Sequence, residues 1–225
     1  NFPVTAGAAQ SKYGQGARDA FVAKLSPTGD AVVFVTYLGG TVDDRAFGLD
    51  VDAEGTVYFT GYTGALGFPV TPGAFDTKID GATGFVAKLS PDGSDLLYST
   101  FISNGFGGGE AGHAVVVDDD GFAYVTGITT SSSFPVVNAV QPVESSALPE
   151  AFVLKLNQNG SDLVFSTYWG GAADRETGES IALGPDGSIY VVGSTDSSNF
   201  PTTPGSFQPT FGGIRDGFLL KLDAT

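Results

Sequence analysis

One five-residue run occurs four times in this chain. It reads FVAKL at 21–25 and 85–89, FVLKL at 152–156 and FLLKL at 218–222. The leading Phe recurs at spacings of 64, 67 and 66 residues. A Phe-Pro pair lies upstream of each run, in NFPVTAGAAQ (1–10), GFPVTPGAFD (67–76), SFPVVNAVQP (133–142) and NFPTTPGSFQ (199–208). Two further blocks fall between them in fixed order. One is VVFVTYLGG (32–40), LLYSTFISN (96–104) and LVFSTYWGG (163–171). The other is LDVDAEGTVYFTGYT (49–63), VVVDDDGFAYVTGIT (115–129) and IALGPDGSIYVVGST (181–195). Blocks that return in one order are copies of one supersecondary unit, which must bury its faces against its own neighbours.

Each unit holds four apolar runs of strand length, rich in Val, Phe and Tyr. Short turns join them in pairs. Asp119-Asp120-Gly121 and Asn157-Gln158-Asn159-Gly160 are two, with counterparts at 53–55, 185–187, 27–29 and 91–93. Asp-Gly and Asn-Gly supply the positive φ that hairpins need. The unit therefore reads as a four-stranded antiparallel meander. Its strands are apolar nearly throughout, as expected for sheets sandwiched between neighbours. The expected fold is an all-β propeller with a repeat of about 65 residues. The whole of 1–225 reads as one propeller segment, with units near 1–66, 67–132 and 133–198 and a partial unit at 199–225. The Phe-Pro link between second and third strands is expected on one rim. Thirteen strand signals make a little over three blades, whereas closed propellers typically have four to eight. The expectation is about half a propeller, completed by a second copy or by sequence outside this chain.

The pattern DxxGxxYVTGxTxSxxFPxTxGxFQ…DxFVxKLxxxGxxLxYSTYLGG resembles the SBBP family, a seven-bladed β-propeller repeat of bacterial and archaeal surface proteins. The resemblance spans essentially the whole chain. Asn138-Ala139-Val140 departs from the Thr-Pro-Gly turn, and 103–109 from the Leu-Gly-Gly exit. The resemblance implies a scaffold in large secreted or cell-surface proteins, with no catalytic residues to transfer.

Net charge is −15, which repels nucleic acid and anionic membrane at long range and suits a soluble extracellular or surface protein. The absence of Cys excludes disulfides, thiol catalysis and thiolate metal sites. The absence of Met means that Asn1 is not a translation start, so the chain reads as a processed product or a piece of something longer.

Candidate chemistry is sparse. Asp50-Val51-Asp52-Ala53-Glu54-Gly55 opens like a calcium loop, but Gly61 stands where the twelfth-position carboxylate belongs, and the other copies lack the ligands. It reads as a hairpin turn. Lys24, Lys88, Lys155 and Lys221 share one register. They read as a repeated scaffold contact with their stems packed on apolar neighbours, in preference to a ligand ring. His113, the sole histidine, aligns with Phe47 and Glu179 just ahead of its strand and can pair with Glu179. Asp43, Asp44, Asp118, Asp119, Asp120 and Asp186 read as solvated turn carboxylates, which make poor general acids. Asn159-Gly160-Ser161 fits a glycosylation sequon, but turn chemistry already accounts for it.

The expected function is a non-enzymatic structural or protein-interaction module. No catalytic, cofactor or metal residues are assigned. A glycan-binding or glycan-cleaving propeller is the alternative, with Trp169, Phe106 and Tyr13 its only loose aromatic candidates. The expected partner is a protein or a second copy, with a glycan as the alternative and no nucleic acid or membrane insertion.

Overall fold

The computed structural model describes residues 2–64, 67–78, 81–103, 109–145, 149–172 and 175–223. Among them are thirteen strands and no helix. Sheet I pairs β1 (Ala20–Leu25) with β2 (Val32–Leu38). Sheet II runs β3 (Asp44–Val51), β4 (Val57–Thr63), β5 (Thr83–Leu89) and β6 (Leu96–Phe101). Sheet III runs β7 (Ala111–Val117), β8 (Ala123–Thr129), β9 (Glu150–Leu156) and β10 (Leu163–Trp169). Sheet IV holds β11 (Glu176–Leu183), β12 (Ile189–Thr195) and β13 (Asp216–Leu222). Every pairing between consecutive strands is antiparallel, so the sheets are blades of the propeller type. By alignment, β3, β7 and β11 are first strands, while β1 and β2 are a third and a fourth.

The sequence unit is out of phase with the sheet. Unit 67–132 contributes β5 and β6 to sheet II, then β7 and β8 to sheet III.

One apolar core fills each boundary between sheets. Val22, Phe34 and Leu38 meet Phe59, Phe85 and Phe101 across the first. Tyr58, Val86 and Tyr98 meet Val125, Phe152 and Leu154 across the second. Tyr124, Val153 and Phe165 meet Ile181, Val191 and Leu220 across the third. Tyr58 and Phe59 are consecutive yet enter different cores, because alternate side chains of a strand leave opposite faces. That is why the middle strands are apolar throughout.

The six hairpin glycines Gly29, Gly55, Gly93, Gly121, Gly160 and Gly187 all carry positive φ, from 65° to 87°. Two of these hairpins are also braced by the Asp that opens them. Asp52 Oδ1 accepts the N–H groups of Glu54 and Thr56, and Asp118 Oδ1 accepts those of Asp120 and Phe122.

The Phe-Pro link is placed differently from expectation. It lies along the outer edge of the fourth strand. Thr5 N donates to Val35 O, Thr71 N to Ser99 O, and Val137 exchanges both bonds with Ser166. Its Phe packs against the third-strand Phe of its own sheet: Phe2 on Phe21 at 4.7 Å, Phe68 on Phe85 at 4.7 Å, Phe134 on Phe152 at 4.8 Å and Phe200 on Phe218 at 4.8 Å. An unpaired fourth strand would invite pairing with another chain, and the link occupies that edge. Asn138 takes the positive φ of this turn at 50°, where the other copies use Gly7, Gly73 and Gly205.

Candidate functional site

The repeated lysines occupy one contact per sheet. Lys88 Nζ lies 4.8 Å from the Tyr58 ring, Lys155 Nζ 4.8 Å from the Tyr124 ring and Lys221 Nζ 5.4 Å from the Tyr190 ring. Each Tyr stands directly opposite its Lys on the second strand. These are cation–π contacts inside a blade. Lys24 differs. Its Nζ donates to Pro91 O at 3.2 Å, and among the described residues no ring lies beneath it.

Asp50 and Asp52 are engaged by backbone. Asp50 Oδ2 accepts Val117 N from the next sheet at 2.9 Å, while Asp52 braces the hairpin. Among the described residues, no group of three or more His, Asp or Glu side chains is placed to hold a metal ion.

His113 lies inside β7 rather than ahead of it, because the first strand starts earlier than its apolar run suggests. Its Nδ1 sits 3.1 Å from Gly178 O and 3.7 Å from Glu179 Oε2, and its ring meets Phe47 edge-on at 5.8 Å. Phe47, His113 and Glu179 thus form a row across three first strands.

The acidic residues need a correction. Asp44 is not a solvated turn residue: it opens β3 and is buried, as are Glu110 and Glu176 at the same place in sheets III and IV. Each is bonded to the Thr that ends the second strand, Thr63, Thr129 or Thr195. Burial holds the Asp44 and Glu176 carboxyls above the usual range, against the pull of those hydroxyls.

A second acid comes to meet the first from the preceding sheet. Asp19 stands just ahead of β1 and Glu150 opens β9, and both accept N–H groups from the Phe-Pro link: Gly14 donates to Asp19 at 2.6 Å, and Ser145 donates to Glu150. The point where a Gly39 side chain would begin lies 2.7 Å from Asp19 Cγ and 2.8 Å from Asp44 Oδ2. The corresponding point at Gly170 lies 2.7 Å from Glu176 Oε2 and 3.3 Å from Glu150 Cδ. At the middle boundary the glycine is Ser103, which donates to Asp76 at 2.8 Å, and the acid is Thr83, which donates to Glu110 at 3.1 Å. Glycine accompanies the acid pair because only glycine leaves room for two carboxyls. No signal within one strand marks these positions. Alignment of the copies finds them, at a fixed step before each apolar run.

A groove of about 460 Å³ opens between β1 and β3. It is lined by Arg18 to Ala23, Asp44 to Leu49 and Phe59. β1 pairs only with β2, so its other edge faces this groove.

Trp169 is partly buried against the third core and meets Phe200 edge-on at 6.4 Å. Tyr13 is 42% exposed and packs on Tyr37 at 5.8 Å. Phe106, with the rest of 104–108, lies outside the described residues. Asn159 sits in its hairpin, where Asn157 Oδ1 accepts Ser161 N at 2.9 Å.

Residues 164–201 match the family model of the SBBP β-propeller repeat. The match begins within β10, crosses β11 and β12 and ends at Phe200-Pro201. No curated protein matches the chain.

Proposed function

We propose that this chain, which carries the SBBP propeller repeat, is a non-enzymatic structural and protein-interaction module of a secreted or cell-surface protein. The single observation that carries the reading is the state of its flanking faces. Leu49 on β3 is 60% exposed, while its counterparts Val115 and Ile181 are 6% and 8% exposed. Apolar surface built to be covered, and open at the flanks of the array, marks an association surface. The candidate polar side chains are spent on the scaffold: Lys88, Lys155 and Lys221 on rings, Lys24 on the Pro91 carbonyl, Asp50 and Asp52 on backbone, His113 on the next sheet. The acidic surface fits an extracellular setting. Size-exclusion chromatography with light scattering, together with an environment-sensitive apolar dye, tests the reading. Expected are concentration-dependent association and dye binding that falls in Leu49→Ser. A monomer that binds no dye overturns it.

One observation favours the glycan reading. Asp19 and Asp44 share the groove with Phe21 and Phe47, and burial raises both carboxyls. Paired carboxyls with one raised pKa are what glycoside cleavage requires. The same pairing at Glu150 and Glu176 is buried between sheets, which favours a scaffold role for both. A glycan array, with hydrolysis assays on any hit and on Asp44→Asn, separates the two readings.

A further inference from the structure

The first two copies of the Phe-Pro link follow one backbone course, tied down at matching places. Thr5 N donates to Val35 O and Thr71 N to Ser99 O. Gln10 N donates to Thr36 Oγ1 at 2.9 Å, and Asp76 N to Thr100 Oγ1 at 2.8 Å. Between these anchors, Ala9 N donates to Gly93 O of sheet II at 2.9 Å, and Phe75 N to Gly160 O of sheet III at 2.8 Å. Residues 9 and 75 thus hold the same place at successive boundaries. One brings a methyl group to it and the other a benzyl group.

The Phe75 side chain packs against the second core, whose members include Ile102, Val125, Leu156 and Leu163. By alignment, the counterparts of those four at the first boundary are Leu38, Phe59, Leu89 and Leu96. All four line one pocket of about 280 Å³, and Ala9 lines it with them. The pocket is the seat of the Phe75 ring, repeated one boundary earlier without the ring. Among the described residues, β2 contributes to its wall and β1 does not, so it lies away from the open edge of β1.

The polar part of the wall is engaged with itself. Gln10 Nε2 donates to Lys12 O and Gly39 O, and Gln10 Oε1 accepts Gly39 N, each at 3.0 Å. Thr36 Oγ1 donates to Tyr37 O at 3.0 Å. No Asp, Glu, Lys, Arg or His stands among the described lining residues. What remains for a guest is apolar surface, and the chain's net charge of −15 turns anionic rings away at long range.

We propose that this pocket binds a neutral single-ring aromatic molecule, held where the Phe75 ring sits at the next boundary. Engineered apolar cavities of about 150 Å³ stay dry and admit benzene. A pocket of about 280 Å³ takes a ring with a substituent. The guest touches Leu38 of sheet I and Phe59 and Leu89 of sheet II, so its binding ties the two sheets together.

Toluene is the probe, titrated into the isotope-labelled chain. Saturable amide shifts at 9–10, 36–39, Leu89 and Leu96 are expected, with a melting temperature that rises as toluene is added. Benzoate should bind at least about tenfold more weakly, because its charge is costly to bury. Ala9→Phe restores the ring from the chain itself. It should raise the melting temperature by a few degrees without toluene and weaken toluene binding at least about tenfold. Phe75→Ala is the converse. It should open a second saturable site, with shifts at 75–76, 100–102, Leu156 and Leu163, and leave the first intact. No saturable binding to the unaltered chain, shifts confined to the groove between β1 and β3, or binding that Ala9→Phe leaves unchanged overturns the proposal. If Ala9→Phe does not fold, Phe75→Ala decides alone, and a chain that gains no second site overturns it.

Discussion

Phe152 and Phe21 hold the same place on third strands of sheets III and I, but one is sealed and the other is half open. The same contrast separates Val153 in sheet III, at 1% exposure, from Leu219 in sheet IV, at 69%. Sequence at these places hardly changes, so exposure is set by whether a neighbouring sheet stands opposite. A blade of this kind has no face of its own. Its stability is borrowed from both sides, as in other repeat arrays, and the flanking sheets have one lender each.

The sharpest way to break that comparison is truncation at the two phenylalanines. Phe152→Ala should cost about 3–5 kcal/mol in chemical denaturation. Phe21→Ala should cost less than about 1 kcal/mol, as an exposed site does. Equal losses would mean that the flanking sheets are as consolidated as the middle ones.

A smaller effect concerns how closely sheets approach. A side chain at Gly178 would begin 2.0 Å from Thr126 Oγ1, and one at Gly112 would begin 1.9 Å from Thr60 Oγ1. Ala46 stands at this place in sheet II, where no such threonine faces it. Gly178→Ala should overpack its boundary by about 1–3 kcal/mol, while Ala46→Gly should cost no more than about 1 kcal/mol. Melting curves of the pair would expose the difference, and a neutral Gly178→Ala would show that the boundary yields.

The acid pairs compare boundaries with one another. Asp44 and Glu176 have raised pKa values in the fold, so their neutral forms are the ones the fold prefers. Their contribution is fully present below the unfolded carboxyl value of about 4 and is lost as pH rises through the raised values. Overall acidity pushes the same way, so the informative quantity is a slope. Asp44→Asn and Glu176→Gln should each flatten the fall of melting temperature above about pH 4. An unchanged slope would show that the pairs ionise without penalty.

The smallest effect expected is that of a chelator, which should leave the melting temperature of all these variants almost unmoved. A shift of more than a few degrees would require a bound cation that stabilises the fold by linkage, and would reopen the reading of Asp50 and Asp52.

Much of this was legible before any coordinates. Apolar runs, Gly-containing turns and the fixed order of blocks locate all thirteen strands and six hairpins, because both signals are local. The common register of the lysines also points to a repeated contact. What it could not supply was the partner, since a Tyr opposite a Lys becomes visible only once strand pairing is known. Asp44 was misread for a related reason. Beside Asp43 and a glycine pair it resembles a turn, and only the sheet before it makes the position interior. The Phe-Pro link carries no period at all, so composition placed it on a rim, while its Phe binds it to the third strand and its Thr or Val to the fourth.

The phase between unit and sheet bears on how such a chain changes length over generations. Each copy begins with a cover for one blade and ends with the inner hairpin of the next. Duplicating a copy therefore inserts a whole blade between two existing ones, with its link and its outer edge already supplied. Deleting one removes a blade and rejoins strands of matching type. A gene built this way can gain or lose units at any internal copy without passing through an intermediate that bares a new edge. Its inheritance is tolerant of unequal crossing-over, and the number of blades becomes a quantity that recombination adjusts freely and selection then trims.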